Sequence, residues 1–423
     1  MPIRRIAVAL GCLAVGAVVA VLALRGGEEP APLPLATPTP TPTPVALDRP
    51  ADRPSLAVGI TEPNANLIAA GLTSPLPSIW ERRRDQLVDI RPQVYRFVVL
   101  WSSVQPRPAA APNLALANGG CSRTIPPCAP WAGIRDELRA LAAHQQQGGW
   151  QGMMVISGMP SWAASGARGC TRGTYPTAAG PRPVALRAYR RLIADLLALA
   201  RSVGASVRYV SPWNEPNHPF FLAPQRAECD ASSPSLAPAP YAALASAAQA
   251  ELAAQPGDQR LVLGETAGIL EPTARATSVA EFVRGLPRGL VCGTTVWSQH
   301  GYIGGTDPVA GTARALAARR CRRPHAIWIT ETGVGPAPGG LSLARGITSE
   351  AQGCRLLHQR LLDWYRDRRV TVAVQYTFRE DEMFPTGLVT ADLARERPAL
   401  AEWQAWGDRP SPASPPPRPT CAR

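Results

Sequence analysis

Residues 207–217 read VRYVSPWNEPN, and residues 326–333 read AIWITETG. Each stretch is an apolar run that stops at a glutamate, Glu215 in the first and Glu331 in the second. An apolar run that ends in a polar loop is typical of a buried strand in a parallel sheet. The two stretches therefore predict two strands that each deliver one carboxylate at the carboxyl end, an arrangement that suits paired-carboxylate chemistry.

Strand-like apolar runs alternate with helical patterns on both sides of these stretches. The predicted strands are residues 56–60, 94–101, 151–157, 207–213, 260–264, 294–298, 327–330 and 370–377. The predicted helices are residues 79–88, 134–147, 183–203, 240–254, 279–286, 309–320, 349–368 and 397–406. Eight such pairs predict a single (β/α)₈ TIM barrel over residues 55–406. A doubly wound open sheet is the alternative, but it requires a Gly-rich first turn that Gly59 alone does not supply.

The N-terminus is predicted to direct export. Arg4 and Arg5 precede an apolar run over residues 6–24. This run is long for the hydrophobic part of a signal peptide and just long enough to span a bilayer. Residues 1–25 are therefore predicted to be a signal peptide or a signal anchor. The remainder is expected to be extracellular, either secreted or tethered to the outer face of the cell membrane.

Two further segments flank the predicted barrel, and neither has the composition of a core. Residues 26–54 are rich in Pro and Thr, which predicts an extended linker. Residues 407–423 form a Pro-rich C-terminal tail.

The formal net charge of +13 comes from 44 basic and 31 acidic residues, and every basic residue is arginine. These arginines are scattered and are not gathered with aromatic residues, so nucleic-acid binding is not expected. A basic exterior favours contact with an anionic wall or membrane surface. A monomer is expected.

Eight of the nine cysteines lie beyond the apolar N-terminal run, which contains Cys12. An even number of cysteines in an exported chain predicts disulfides. No pair has C-x-x-C spacing, so a zinc cluster is not expected, and no other metal ion or cofactor is implied. The barrel faces on which the cysteines fall favour four pairs, namely Cys121–Cys128, Cys170–Cys229, Cys292–Cys321 and Cys354–Cys421.

Polar and aromatic side chains cluster at the predicted carboxyl ends of the strands, where TIM barrels place their active residues. They are Arg96 and Trp101 after the second strand, Trp162 after the third, Asn214 and Glu215 after the fourth, Glu265 after the fifth, His300 and Tyr302 after the sixth, Glu331 after the seventh and Tyr376 after the eighth. Among these, Glu265 is expected to have a structural or peripheral role.

The sequence Trp-Asn-Glu-Pro-Asn at 213–217, together with Thr-Glu-Thr-Gly at 330–333, resembles the clan A glycoside hydrolases, which include cellulase-like and β-xylosidase-like retaining enzymes. The resemblance covers residues 55–406. It implies that Glu215 is the general acid/base and Glu331 the nucleophile of a two-step cleavage of O-glycosidic bonds in a poly- or oligosaccharide. Such an acid requires a raised pKa, whereas the nucleophile must stay ionised.

The resemblance also implies roles for the surrounding side chains. Arg96 would keep Glu331 ionised, and Tyr302 would donate a hydrogen bond to the same carboxylate. Asn214 would bind the sugar 2-hydroxyl, and His300 would hold Tyr302 or a sugar hydroxyl. Three aromatic side chains are expected to stack on sugar rings: Trp101, Trp162 and Tyr376.

The sequence departs from the clan at one position and allows two alternative functions. The clan usually places a tryptophan after the eighth strand, where this sequence has Tyr376, so the sugar is not identified. A non-catalytic carbohydrate-binding or cell-wall-associated barrel would be expected to lose one carboxylate, yet both Glu215 and Glu331 are present. Transglycosylation would use the same pair of carboxylates.

Overall fold

Parallel strands and helices alternate in the computed structural model, which describes residues 46–68, 78–122, 124–166, 168–335, 346–381 and 384–421. The strands are β1 (Ala57–Thr61), β2 (Val94–Leu100), β3 (Gln151–Ser157), β4 (Val207–Ser211), β5 in two segments (Arg260–Leu261 and Leu263–Thr266), β6 (Val296–His300), β7 (Ala326–Thr332) and β8 (Val370–Tyr376).

The strands form a nearly closed barrel. Strand β1 pairs in parallel with both β2 and β8, so the first and last strands are neighbours. Strand β4 pairs with the first segment of β5, and the second segment pairs with β6. Val262 lies between the two segments and donates its backbone N–H to the carbonyl of Val210 at 2.9 Å. The arrangement is that of the predicted TIM barrel and not of a doubly wound sheet.

Among the described residues, helices of seven or more residues follow each of the eight strands. They are α1 (Ser78–Val88), α2 (Gly133–Gln146), α3 (Leu186–Ser202), α4 (Pro238–Ala254), α5 (Val279–Gly285), α6 (Val309–Ala317), α7 (Glu350–Arg366) and α8 (Pro398–Gly407). Helix α3 shows why these segments are helical, because its buried side chains recur at intervals of three and four residues. Those side chains are Tyr189, Leu192, Ile193, Leu196, Leu197 and Ala200.

The barrel interior is packed, and a residue from the predicted linker takes part in that packing. Leu47 is buried with the inward-facing side chains of the strands. Its carbonyl accepts hydrogen bonds from Trp328 Nε1 at 2.9 Å and from Thr371 Oγ1 at 2.6 Å. The folded unit therefore begins before Ser55, the residue at which the sequence predicted it to start.

All four predicted disulfides are present, namely Cys121–Cys128, Cys170–Cys229, Cys292–Cys321 and Cys354–Cys421. Such a set is typical of a protein that folds in an oxidising compartment. The helices of the described residues include none that is long and apolar enough to cross a membrane. The predicted signal segment, residues 1–25, and most of the predicted linker lie outside the described residues.

Two carboxyl groups are buried together beside the end of β1. Glu62 follows that strand and Glu137 lies in α2. Burial raises the pKa of Glu62 to about 7, although the backbone N–H groups of Arg379 and Asn64 donate to its carboxylate. Burial, and then the charge of Glu62, raise the pKa of Glu137 well above its usual range. The folded chain therefore holds these protons to a higher pH than the unfolded chain does.

Replacing Glu137 with glutamine is expected to stabilise the protein at alkaline pH. A carboxyl whose pKa is raised by folding loses stability as the pH rises above its ordinary value near 4.5. We expect E137Q to raise the melting temperature at pH 8 by about 2 °C or more and to leave it nearly unchanged at pH 4. Calorimetry at both pH values, with the exposed Glu228→Gln as the control, tests this. Equal shifts at the two pH values would contradict it.

Candidate active site

The two strand-end glutamates meet at the carboxyl end of the barrel. Glu331 is part of β7, a strand that is buried along its whole length, and Glu215 lies in the loop that follows β4. One oxygen of Glu215, one oxygen of Glu331 and one ring nitrogen of His300 all lie within 4.8 Å of one another. The carboxylates that the sequence predicted at one edge of the sheet are therefore neighbours.

The backbone that carries Glu215 is fixed by its neighbouring strands. The N–H of Asn214 donates to the carbonyl of Ile156 in β3 at 3.0 Å, and the N–H of Glu215 donates to the carbonyl of Glu265 in β5 at 2.8 Å. Glu215 and Glu265 have φ angles of +37° and +50°. Such values are uncommon for residues other than glycine and are concentrated at functional sites.

The carboxylate of Glu331 is held from two sides. Its Oε1 lies 2.8 Å from Nη2 of Arg96, a residue of β2 that is fully buried. Its Oε2 accepts a hydrogen bond of 2.7 Å from the hydroxyl of Tyr302. Burial, and then the charge of Glu331, raise the pKa of Tyr302 well above its usual range, so the phenol remains a donor. Two donors thus fix the orientation of the Glu331 carboxylate.

Glu265, which is predicted to be structural or peripheral, is fully buried and contacts two residues of the site, Arg96 and His300. Its Oε2 accepts from Nη2 of Arg96 at 2.6 Å and from Nε at 3.1 Å. Burial alone would raise the pKa of this carboxyl, but the charges of Arg96 and His300 outweigh it and lower the pKa to about 2. The sequence feature that points to Glu265 is its position at the end of β5. Its pairing with the buried Arg96 is not visible in the sequence.

His300, which is predicted to hold Tyr302 or a sugar hydroxyl, contacts three carboxylates. Its Nδ1 lies 2.7 Å from Oε1 of Glu215 and 3.2 Å from Oε2 of Glu331, and its Nε2 lies 3.3 Å from Oε2 of Glu265. Burial opposes the charged ring, but the charge of Glu331 and the bonds to Glu215 and Glu265 raise the pKa of His300 to about 10. At neutral pH the ring is therefore an imidazolium.

The charged ring of His300 has a direct effect on Glu215. Burial raises the pKa of the Glu215 carboxyl, but the hydrogen bond and the charge of His300 exceed that effect and lower it. The lowered pKa is opposite to the raised pKa that is predicted for a general acid. In the ligand-free site the proton lies on His300, one hydrogen bond away from Oε1 of Glu215.

Asn214 and Tyr376 lie at the edge of this cluster. Oδ1 of Asn214 accepts from Nη2 of Arg96 at 2.8 Å, whereas Nδ2 has no hydrogen-bond partner among the described residues. Tyr376 is half-buried, and its ring meets the edge of Phe384 at a centroid distance of 5.6 Å. Phe384 also packs on Tyr302 at 4.8 Å. The side-chain amide of Asn214 and the rings of Tyr376 and Phe384 therefore border the two carboxylates.

The two predicted tryptophans occupy different environments. Trp101 is fully buried, and its Nε1 donates to Oε1 of Gln105 at 2.8 Å. The prediction that Trp101 stacks on a sugar is wrong, because the residue begins a short helix, Trp101–Val104, whose inner side packs in the core. Trp162 is half-buried, meets Trp101 edge-on at 5.5 Å and donates to the carbonyl of Gln105.

Glu215, Glu331 and His300 also form a set that could in principle bind a divalent cation. Two features act against this. The guanidinium of Arg96 already contacts Glu331, and a cation would have to displace the proton of the His300 ring, whose pKa is raised to about 10. These contacts favour ion pairs between the carboxylates and the side chains of Arg96 and His300 over a bound metal ion.

Replacing Glu265 with glutamine is expected to destabilise the protein by about 3 kcal/mol at pH 7, because breaking a buried ion pair leaves Arg96 and His300 with less counter-charge. A carboxyl with a depressed pKa contributes stability above its ordinary value of 4.5 and loses it as the pH falls towards 2. The deficit of E265Q should therefore shrink between pH 5 and pH 3. Denaturant unfolding at pH 7 and pH 3 measures it, with Glu228→Gln as the control. An equal deficit at both pH values would contradict the ion-pair role.

No family model and no curated protein matches the sequence. Solved structures do match the fold. A family 39 glycoside hydrolase, a β-xylosidase from Caulobacter crescentus, is 16% identical, with a TM-score of 0.52 over 85% of this chain and 72% of that chain. A family 53 catalytic domain from Ignisphaera aggregans is also 16% identical, with a TM-score of 0.51 over 84% and 98%.

A third match is a family 30 endoxylanase from Clostridium papyrosolvens. It is 10% identical, with a TM-score of 0.51 over 86% of this chain and 74% of that chain. At such identities the likeness shows a shared barrel fold. The chemistry of a barrel is set by the side chains of its site and not by the fold.

Proposed function

We propose that this chain is a retaining glycoside hydrolase that cleaves O-glycosidic bonds of a poly- or oligosaccharide. The observation that carries the proposal is the proximity of Glu215 and Glu331, with one oxygen of each within 4.8 Å. Retaining enzymes hold their two carboxyl groups roughly 5 to 5.5 Å apart, and inverting enzymes roughly 6.5 to 9.5 Å apart to admit a water. The short separation supports the retaining mechanism.

In the first step, Glu331 attacks the anomeric carbon while the bond from that carbon to the leaving oxygen breaks. Arg96 and Tyr302 orient the attacking carboxylate, since each contacts a different oxygen of Glu331. Glu215 gives its proton to the leaving oxygen. The product of this step is a glycosyl ester of Glu331 and a free leaving group.

In the second step, Glu215 acts as a base. Its carboxylate takes a proton from a water, which attacks the anomeric carbon and releases Glu331. Two inversions at the same carbon give net retention of configuration. Asn214, whose Nδ2 lacks a partner among the described residues, is proposed to donate to a hydroxyl of the bound sugar.

His300 is proposed to supply the proton that Glu215 requires. The proton lies on the imidazolium in the free site, and Nδ1 is 2.7 Å from Oε1 of Glu215. A bound sugar excludes water from the site, which disfavours the separated charges of imidazolium and carboxylate. Transfer of the proton to Glu215 then gives a neutral pair and an acid beside the leaving oxygen.

Export is part of the proposal. Four disulfides agree with an oxidising compartment, where polysaccharides are accessible to a secreted or membrane-tethered enzyme. The β-xylosidase and the endoxylanase that share the fold agree with the use of this barrel on glycosides, as a fold-level analogy.

A substrate screen with stereochemical analysis tests the proposed function. Xylan, mixed-linkage β-glucan, galactan and bacterial wall polysaccharides are incubated with the chain, and reducing ends are measured. NMR of the first product then reports the anomeric configuration before mutarotation. Retention and complete loss of activity in the double variant E215A/E331A are expected. Initial release of the inverted anomer would contradict the mechanism, and unchanged activity in the double variant would contradict the site.

A further inference from the structure

Two aromatic side chains are exposed beside the site. Tyr175 is 50% exposed and Phe220 is 36% exposed, whereas the other aromatic side chains of the described residues are buried or half-buried. The two rings contact one another, with centroids 5.0 Å apart and planes inclined at 54°. Exposed aromatic side chains that contact one another are a feature of ligand-binding surfaces, whereas single exposed apolar residues are ordinary.

The pair lies next to the chain segment that carries Glu215. Phe220 is five residues beyond Glu215 in the loop after β4, and its ring meets the edge of His218 at 4.7 Å. The backbone N–H of His218 donates to the carbonyl of Glu215 at 3.0 Å. Tyr175, from the loop after β3, extends this row of rings outward. Glu215, His218, Phe220 and Tyr175 thus follow one another from the site to the surface.

Both loops are cross-linked, so the pair is held in a fixed place. The disulfide Cys170–Cys229 joins the loop after β3 to the loop after β4. The backbone N–H of Ala223 donates to the carbonyl of Ala178 at 2.6 Å, and the N–H of Cys170 donates to the carbonyl of Arg226 at 2.9 Å. Because the loops are already ordered, a ligand that binds to these rings does not cost the conformational entropy of ordering a loop.

The position beside Glu215 decides which part of a substrate the pair would meet. Glu215 is proposed to protonate the leaving oxygen, so sugars on its outer side belong to the leaving group. A pyranose ring presents a face of C–H groups, which packs on aromatic rings, and its hydroxyl groups remain in water.

We propose that Tyr175 and Phe220 form an outer subsite for a sugar ring on the leaving-group side of the cleaved bond. This inference rests on the proposed function. It implies that the chain acts on saccharides with several units beyond that bond, not on glycosides with a small leaving group alone.

Affinity electrophoresis in gels that contain xylan, mixed-linkage β-glucan or galactan tests the subsite. The full chain is compared with Y175A, F220A and the double variant, and with Y175F, which keeps the ring. Val184→Ala is the matched control, since Val184 is 79% exposed and lies in the same loop as Tyr175. We expect the double variant to bind about tenfold more weakly to any polysaccharide that retards the wild type. Y175F and V184A should bind as the wild type does.

The outcomes separate the subsite from the proposed function. Equal retardation of the double variant and the wild type overturns the subsite. Hydrolysis of a polysaccharide with the same KM by the wild type and by Y175A/F220A also overturns the subsite, but it leaves the proposed function intact. E331A that binds the same gels with unchanged affinity but has no activity supports the proposed function, and weaker binding by Y175A/F220A supports the subsite. Neither hydrolysis nor retardation of the wild type by any of the polysaccharides contradicts the proposed function, and the subsite with it.

Discussion

Replacement of Glu331 by alanine is expected to lower kcat roughly 10⁴-fold or more, equivalent to about 5.5 kcal/mol of activation free energy. Without this carboxylate no covalent intermediate can form. The hydroxyl of Tyr302 and the guanidinium of Arg96, which contact the two Glu331 oxygens, would then face a cavity. The measurement is the steady-state hydrolysis of the polysaccharide that the wild type cleaves in the screen. Glu228→Ala, a change at an exposed glutamate, is the control.

Azide distinguishes a lost nucleophile from a damaged fold. The shortened side chain of E331A leaves room for a small anion at the anomeric carbon. With a dinitrophenyl glycoside of the released sugar, azide should restore turnover and give a glycosyl azide of inverted configuration, because one displacement replaces two. Circular dichroism and the melting temperature report whether the variant is folded. A folded E331A with more than a tenth of the wild-type activity would exclude Glu331 as the nucleophile.

The strand-end positions of this site could be predicted because they follow from local sequence. The carboxylates Glu215 and Glu331 each end an apolar run, and eight alternating runs permit few topologies. The same topology placed the cysteines on defined faces, so that Cys170 could be paired with Cys229 across neighbouring loops. The alternation of apolar runs and the topology of the barrel were sufficient for these predictions.

The contacts inside the barrel could not be predicted in the same way, because they depend on three-dimensional distances. Glu265 and His300 lie on adjacent strands, but their shared contact requires the register of β5 and β6 and the break at Val262. The strand-end position of Trp101 predicts a place in the site, yet the helical turn Trp101–Val104 directs the side chain into the core. Leu47 lies in a Pro-rich context, and only its fit beneath Trp328 shows that it is folded.

Replacement of Glu215 by alanine should give a different kinetic pattern from that of E331A. A sugar leaving group needs the proton of the acid, so hydrolysis of the polysaccharide is expected to fall roughly 10³-fold or more. A dinitrophenolate leaves without a proton, so the first step with a dinitrophenyl glycoside should be nearly unaffected. The second step then lacks its base, and a burst of dinitrophenol followed by slow turnover is expected in stopped-flow measurements.

Azide and pH complete the test of Glu215. Azide attacks the glycosyl ester without a base, so it should accelerate the slow phase of E215A and give a glycosyl azide of retained configuration, the opposite anomer to that from E331A.

The pH dependence of the wild type gives a second test. Its kcat/KM on the polysaccharide should fall at alkaline pH, where His300, with a pKa of about 10, and Glu215 lose their shared proton. For E215A with the dinitrophenyl glycoside this alkaline loss should disappear, since the first step no longer uses that proton. If E215A instead retained the wild-type alkaline limb on the activated substrate, the proton would come from another group, and the His300–Glu215 pair would not be the acid of the reaction.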